Sequence, residues 1–193
     1  MQNQESLLNV AFIFASQGRY ADNIQWMANW REMQNPPAWA LNNYAISLRE
    51  KQYWERHYEV LQRIMPIVSD ELASAVRTWL ALESWLHGDL QTMQDLYPLI
   101  EAEELSNDNF YAFILLHAVV EFESSHDLSA DERLSRIIAI LREGHRDYHT
   151  LHENRMLWHI QTRVVKQLAQ HLEDGRSQLY YRWRMISWLK FII

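Results

Sequence analysis

Residues 7–37 read LLNVAFIFASQGRYADNIQWMANWREMQNPP, and this stretch decides the fold. Leu7, Leu8, Val10, Ala11 and Phe14 recur at the three- and four-residue spacing that puts side chains on one face of an α-helix. Gly18 then interrupts the pattern where a helix would need a left-handed residue to stop. A second helical run from Ala21 to Met33 follows and is ended by Asn35-Pro36-Pro37. Two helices joined by so short a link pack antiparallel, so the stretch is one helical hairpin.

The same punctuation continues along the chain. Proline at the first helical position starts a helix over about Ala38–Arg49, since its fixed φ suits that site and its missing N–H would go unpaired anyway. Further helices are predicted over about Tyr53–Met65, stopping at Pro66, and Asp70–His87, led by Ser69-Asp70-Glu71. Gly88 separates the latter from a helix over Leu90–Glu103, which Pro98 should kink or divide. Asn107–Ser124 and Ser129–Glu143 come next; Ser129-Ala-Asp-Glu132 has the form of a capping box, and Gly144 is expected to end its helix. The longest run spans Tyr148–Glu173, and a last helix spans Gln178–Ile192 beyond Gly175. The expected fold is all-α: about ten helices in stacked antiparallel hairpins.

Composition agrees. The 193 residues are 48% hydrophobic, enough for one domain with a sizeable core, and carry only 4 glycines and 4 prolines, too few for a sheet protein with a turn every ~10 residues. The absence of cysteine excludes disulfides, thiolate zinc sites and cysteine nucleophiles, and fits a reducing, cytoplasmic setting. The first residues lack the basic region of a secretory signal, and the most apolar run, Phe110–Val120, is about half the ~20 residues a membrane span requires. No transmembrane segment is expected.

Ala11, Ala45 and Ala81 lie 34 and 36 residues apart, where a small side chain lets two helix axes approach closely. With Leu7, Val10, Phe14, Gly18, Tyr20, Met27 and Pro36 around the first, the segment resembles a tetratricopeptide repeat, a helical hairpin of ~34 residues. A second copy follows in Tyr44, Ala45, Leu48, Trp54 and Leu61, and a third in Leu80, Ala81, Gly88, Leu90, Tyr97 and Ile100. Residues 1–104 are thus read as repeats, and residues 105–193 as further hairpins with a C-terminal cap in the same compact domain. Asn23, His57 and Met93 stand where the family has a small residue early in the second helix, and Trp30, Ile64 and Ile100 where it has a later one, so wider helix spacing is expected there.

The resemblance implies a concave face lined by the first helix of each hairpin. Its binding positions fall on Leu8 and Phe12; on Trp39, Asn42, Asn43, Ile46 and Arg49; and on Thr78, Leu82 and Trp85. Aromatics mixed with amides suit an extended or helical peptide. For the aromatics, core packing competes with this role. A non-enzymatic, protein-binding scaffold follows as the functional expectation: an adaptor, chaperone or regulatory domain.

Charge refines the partner. The net charge of −7 divides into −11 over residues 1–130 and +4 over residues 131–193. Between Arg77 and Arg133 there is no Lys or Arg, while ten carboxylates fall from Glu83 to Asp127. Such a field repels phosphate backbones, disfavouring nucleic acid, and attracts basic segments; Glu101, Glu103 and Glu104 are its expected contacts. A solvated acidic surface without a partner is the plain alternative.

The competing class is a metal-dependent all-helical enzyme. His145, His149, His152 and His159 share a helical row with Glu153 beside it, and Glu123-Ser-Ser-His126 matches the Glu-x-x-His element of di-iron bundles. No second Glu-x-x-His, no HExxH and no glycine loop for phosphate accompanies them, so neither a metal nor another cofactor is expected. The last seventeen residues, SQLYYRWRMISWLKFII, are apolar, aromatic and basic together. Three roles fit them: capping the array, a homodimer contact, or lying on an anionic membrane surface.

Overall fold

The apolar periodicity becomes helix along nearly its whole length. A computed structural model describes residues 4–146 and 155–172, and in these the regular structure is helical. The order is α1 (Gln4–Ser16), α2 (Tyr20–Trp26), α3 (Ala38–Glu50), α4 (Trp54–Ile64), α5 (Asp70–Leu86), α6 (Leu90–Leu96), α7 (Asn107–Ser124), α8 (Ala130–Arg146) and α9 (Arg155–His171). Short 3-10 turns follow α2, α4 and α6 at Trp30–Glu32, Met65–Ile67 and Tyr97–Leu99, and a fourth lies at Ala102–Glu104. The expected helix over 178–192 lies outside the described residues, as do the choices between its three roles.

Three joints share one geometry. After α1, the Arg19 N–H donates to the Phe14 carbonyl at 2.8 Å across Gly18, whose φ is +69°. After α3, Tyr53 donates to Leu48 at 2.9 Å across Gln52, φ +61°; after α5, Asp89 donates to Ser84 at 2.9 Å across Gly88, φ +83°. Each is a helix stop with one left-handed residue, and it satisfies carbonyls the helix leaves free. The joints stand 34 and 36 residues apart, the separations of Ala11, Ala45 and Ala81. Those three alanines are buried, and so are Asn23, His57 and Met93, one helix later. Asn23 is accommodated by donating from Nδ2 to the Ser47 hydroxyl at 2.7 Å.

Several boundaries differ from the sequence-based expectation. The second run divides: α2 stops at Trp26, and Trp30, in the following 3-10 turn, is driven into the core beside Tyr44. Pro37 caps α3 from an extended conformation, ψ 145°, its carbonyl accepting from Ala40 and Leu41, instead of occupying the first helical position. α8 runs through Gly144 to Arg146, so that glycine does not stop it. Pro98 does divide its segment, placing Tyr97–Leu99 in a 3-10 turn. The Ser129 box forms as expected: the Ser129 N–H donates to Glu132 Oε2 at 3.0 Å and the Glu132 N–H to Ser129 Oγ at 3.4 Å.

Packing is mostly between neighbours in sequence, α1 on α2, α3 on α4, α5 on α6 and α7 on α8, with α1–α3 and α5–α7 contacts joining the pairs. α7 is largely apolar and central: Tyr111, Ala112, Leu115, Leu116, Val119 and Phe122 are buried, while His117 stays exposed. α9 returns onto α7 and α5. No helix among the described residues is long and apolar enough to cross a membrane.

Candidate functional site

α3 has one side that its neighbours leave uncovered. Ala40, Leu41, Tyr44, Ala45, Ser47, Leu48 and Arg49 are buried, whereas Trp39 is exposed and Asn42, Asn43, Ile46 and Glu50 are only partly covered. The uncovered positions are spaced by three and four, so they form one stripe along the helix. At its start, Trp39, 41% exposed, meets Phe12 of α1, 51% exposed, edge to face with ring centroids 6.2 Å apart. At its end, Ile46, Arg49 and Glu50 line an open cleft of about 600 Å³ with Tyr20 at the start of α2 and Ser106, Asp108 and Asn109 at the start of α7.

Within the cleft, the Arg49 guanidinium lies over the Trp79 ring, 4.3 Å from its centroid, and Trp79 in turn donates from Nε1 to Asn109 Oδ1 at 2.8 Å. Burial pulls the proton affinity of Arg49 down, against the opposing pull of Glu50 and Asp108. Burial raises the Glu50 pKa; Arg49 lowers it and Asp108 raises it further. The Tyr20 hydroxyl is raised by burial and by Glu50. One cation and two carboxylates thus face a shared hollow.

The residues expected from sequence separate into two groups. Phe12, Trp39, Asn42, Asn43, Ile46 and Arg49 lie on or beside the α3 stripe. Leu8, Thr78, Leu82 and Trp85 are buried in the core: Thr78 donates to the Ser74 carbonyl at 2.7 Å, and Trp85 Nε1 donates to Glu123 Oε1 at 2.7 Å. Glu101, Glu103 and Glu104 are exposed, and Glu104 Oε2 accepts from Ser74 Oγ at 3.1 Å. Tyr20 is marked in the sequence only by its place in the repeat pattern, and Glu50, Ser106 and Asn109 carry no signal; nothing in their local sequence connects the four, because the start of α7 reaches α3 only through the fold.

Much of the acidic stretch is internally engaged. Glu83 is fully buried and receives two hydrogen bonds from Arg163, 2.8 and 3.0 Å, while the same guanidinium stacks on Trp54 at 4.4 Å. Burial pushes the Glu83 carboxyl up, but contacts with His57 and Arg163 outweigh it and hold the group below the usual carboxylate range. Glu121 pairs with Arg136 at 2.7 Å, and Asp89 caps α6 through the Thr92 N–H at 3.1 Å. Of the residues considered for metal binding, Glu123 is thus engaged with Trp85, and His126 is exposed. Among the described residues no group of three or more His, Asp or Glu side chains is placed to hold a metal. His149, His152, Glu153 and the side chain of His145 lie outside the described residues.

Comparison with protein-family profiles, with curated proteins and with solved structures finds no match to the chain.

Proposed function

We propose that the chain is a non-enzymatic protein-binding scaffold built on tetratricopeptide-like hairpins, and that a segment of another protein lies along α3. The uncovered stripe from Trp39 through Asn42, Asn43 and Ile46 to the Arg49 cleft carries this reading. A helix so well buried elsewhere keeps an aromatic pair at one end of its open side and a charged hollow at the other. Exposed aromatics beside amides are what an interface uses: large rigid contact area with hydrogen-bonding groups along it. The recurrence of one helix stop at Gly18, Gln52 and Gly88 supports the repeat reading, since repeated hairpins present equivalent faces on one side.

Affinity capture from the native host tests the assignment. The chain carrying Trp39→Ala and Ile46→Ser is expected to lose the partner retained by the unaltered chain while staying folded by circular dichroism, Trp39 being exposed and Ile46 half-buried. Capture unaffected by the pair of substitutions would overturn it.

A further inference from the structure

Arg49 and Arg163 each stack on a tryptophan, and they differ in one respect. Arg163 spends its fork on Glu83. Arg49, with its side chain 7% exposed, has no such partner: its Nε is buried without a hydrogen bond, and the nearest carboxylate oxygen, Glu50 Oε1, is 3.9 Å from Nη2. That exceeds hydrogen-bond length. A guanidinium offers five donors in a rigid plane, and a desolvated charge left without them satisfied is unfavourable. Arg49 lines the cleft, so a group entering it can meet the guanidinium.

The surrounding charges say what that group is. A bare anion drawn to Arg49 would meet the carboxylates of Glu50 and Asp108, and a bare cation drawn to those would meet Arg49. Only a ligand carrying both signs answers all three. We propose that the cleft takes a peptide segment in which an acidic and a basic side chain are adjacent, the carboxylate forked on Arg49 and the basic group set against Glu50 and Asp108. Planar, two-bonded recognition of carboxylate is the particular strength of arginine. A peptide is favoured over a free amino acid because Ile46 belongs to both the cleft and the α3 stripe, making the hollow the end of a longer track. This deepens the scaffold reading and rests on it.

The test follows the Arg49 Nε–H resonance of the ¹⁵N-labelled full chain, assigned by its loss in Arg49→Lys. The probes are acetyl-Gly-Glu-Lys-Gly-amide, its two relatives with Gln in place of Glu or of Lys, and free lysine. Saturable movement by the first peptide, weakened about tenfold in each neutralised relative and absent with lysine at equal concentration, is the expected result. No movement, equal movement by all three peptides, or saturation by lysine alone would overturn the proposal, the last assigning the cleft to an amino acid. Arg49→Met should melt no lower than the parent yet lose the peptide-induced shift of the Asn109 amide; unchanged peptide binding in that variant would overturn it. If that variant does not fold, Asp108→Asn decides: it should weaken the Glu-Lys peptide and leave the Glu-Gln peptide unchanged, and equal effects on both would contradict the assignment. These short probes report on the cleft alone, so failure here leaves the Trp39 and Ile46 capture result standing, and failure of capture leaves this result readable.

Discussion

Arg163 of α9 grips the fully buried carboxylate of Glu83 in α5 through two hydrogen bonds of 2.8 and 3.0 Å, across 80 residues of chain. The pair fixes α9 against the hairpin that carries it, and Trp54 of α4 covers the guanidinium. Breaking one side leaves a buried charge without its partner, which typically costs about 3–5 kcal/mol, whereas replacing both with apolar or neutral groups is far milder. Glu83→Gln and Arg163→Met should each destabilise strongly, and the double variant should recover most of the loss. Denaturant unfolding of the four chains measures this; additive losses would show that the two side chains act independently.

Stability should also fall with acid in two stages. Burial depresses the His57 pKa, so the imidazole is neutral in the fold and takes a proton more readily when unfolded. The unfolded chain therefore binds more protons below about pH 6.5, and stability declines from there downward. Glu83 is depressed as well, so its contribution is present above the ordinary carboxylate pKa and is lost as pH falls further, through its folded value. Melting temperature measured from pH 8 to 4 should be level above about 7 and drop below it. His57→Gln should flatten the slope between about pH 6.5 and 5 while leaving the later fall. An unchanged upper slope in that variant would assign it to another group.

Gln52 holds the left-handed position that glycine holds at 18 and 88. A side chain there is strained by about 1–2 kcal/mol, part of which glycine returns as unfolded-state entropy. Gln52→Gly should raise stability by about 0.5–1 kcal/mol, read as a higher denaturant midpoint with unchanged slope. A lower midpoint would mean that the Gln52 side chain contributes more than its backbone costs.

That position also shows where reading the sequence works and where it stops. Gly18, Gly88, Pro98 and the Ser129 box mark their boundaries because the chemistry is local: a left-handed stop, a missing donor, a reciprocal cap. The joint at Gln52 carries no such residue, and only the 34-residue step from Gly18 points to it. Gly144 reads as a stop yet lies inside α8. On α3 the resemblance to the repeat family puts Trp39, Asn42, Asn43 and Ile46 at binding positions, and the structure leaves Trp39 exposed and the other three half-buried on that side of the helix. Thr78, Leu82 and Trp85 occupy matching places on α5, but α7 packs over that helix and the three are buried. The Arg49 cleft was not legible as a site, since Tyr20, Glu50 and Asp108 come together only through packing.

Surface charge bears on how quickly a partner arrives. Glu101, Glu103 and Glu104 are exposed, the last two within the 3-10 turn Ala102–Glu104, whereas Glu83, Glu121 and Glu123 are held by the chain itself. For a partner with a basic segment, reversing those three to Lys should slow association more than it speeds dissociation, and salt should diminish the difference, because exposed charges act at a range of ~8 Å under physiological conditions. Stopped-flow association at low and high salt reads this directly; rates insensitive to both salt and charge reversal would remove the acidic surface from the account.

A partner on the open side of α3 is detected most directly by cross-linking. A photo-cross-linking amino acid placed at Ile46, and separately at Leu90, an exposed position at the start of α6, compares that side with an unrelated surface in the native host. The account predicts a discrete adduct from position 46 that disappears when Trp39 is changed to alanine, and none from position 90. Equal labelling from both positions, or an adduct from position 90 alone, would contradict it.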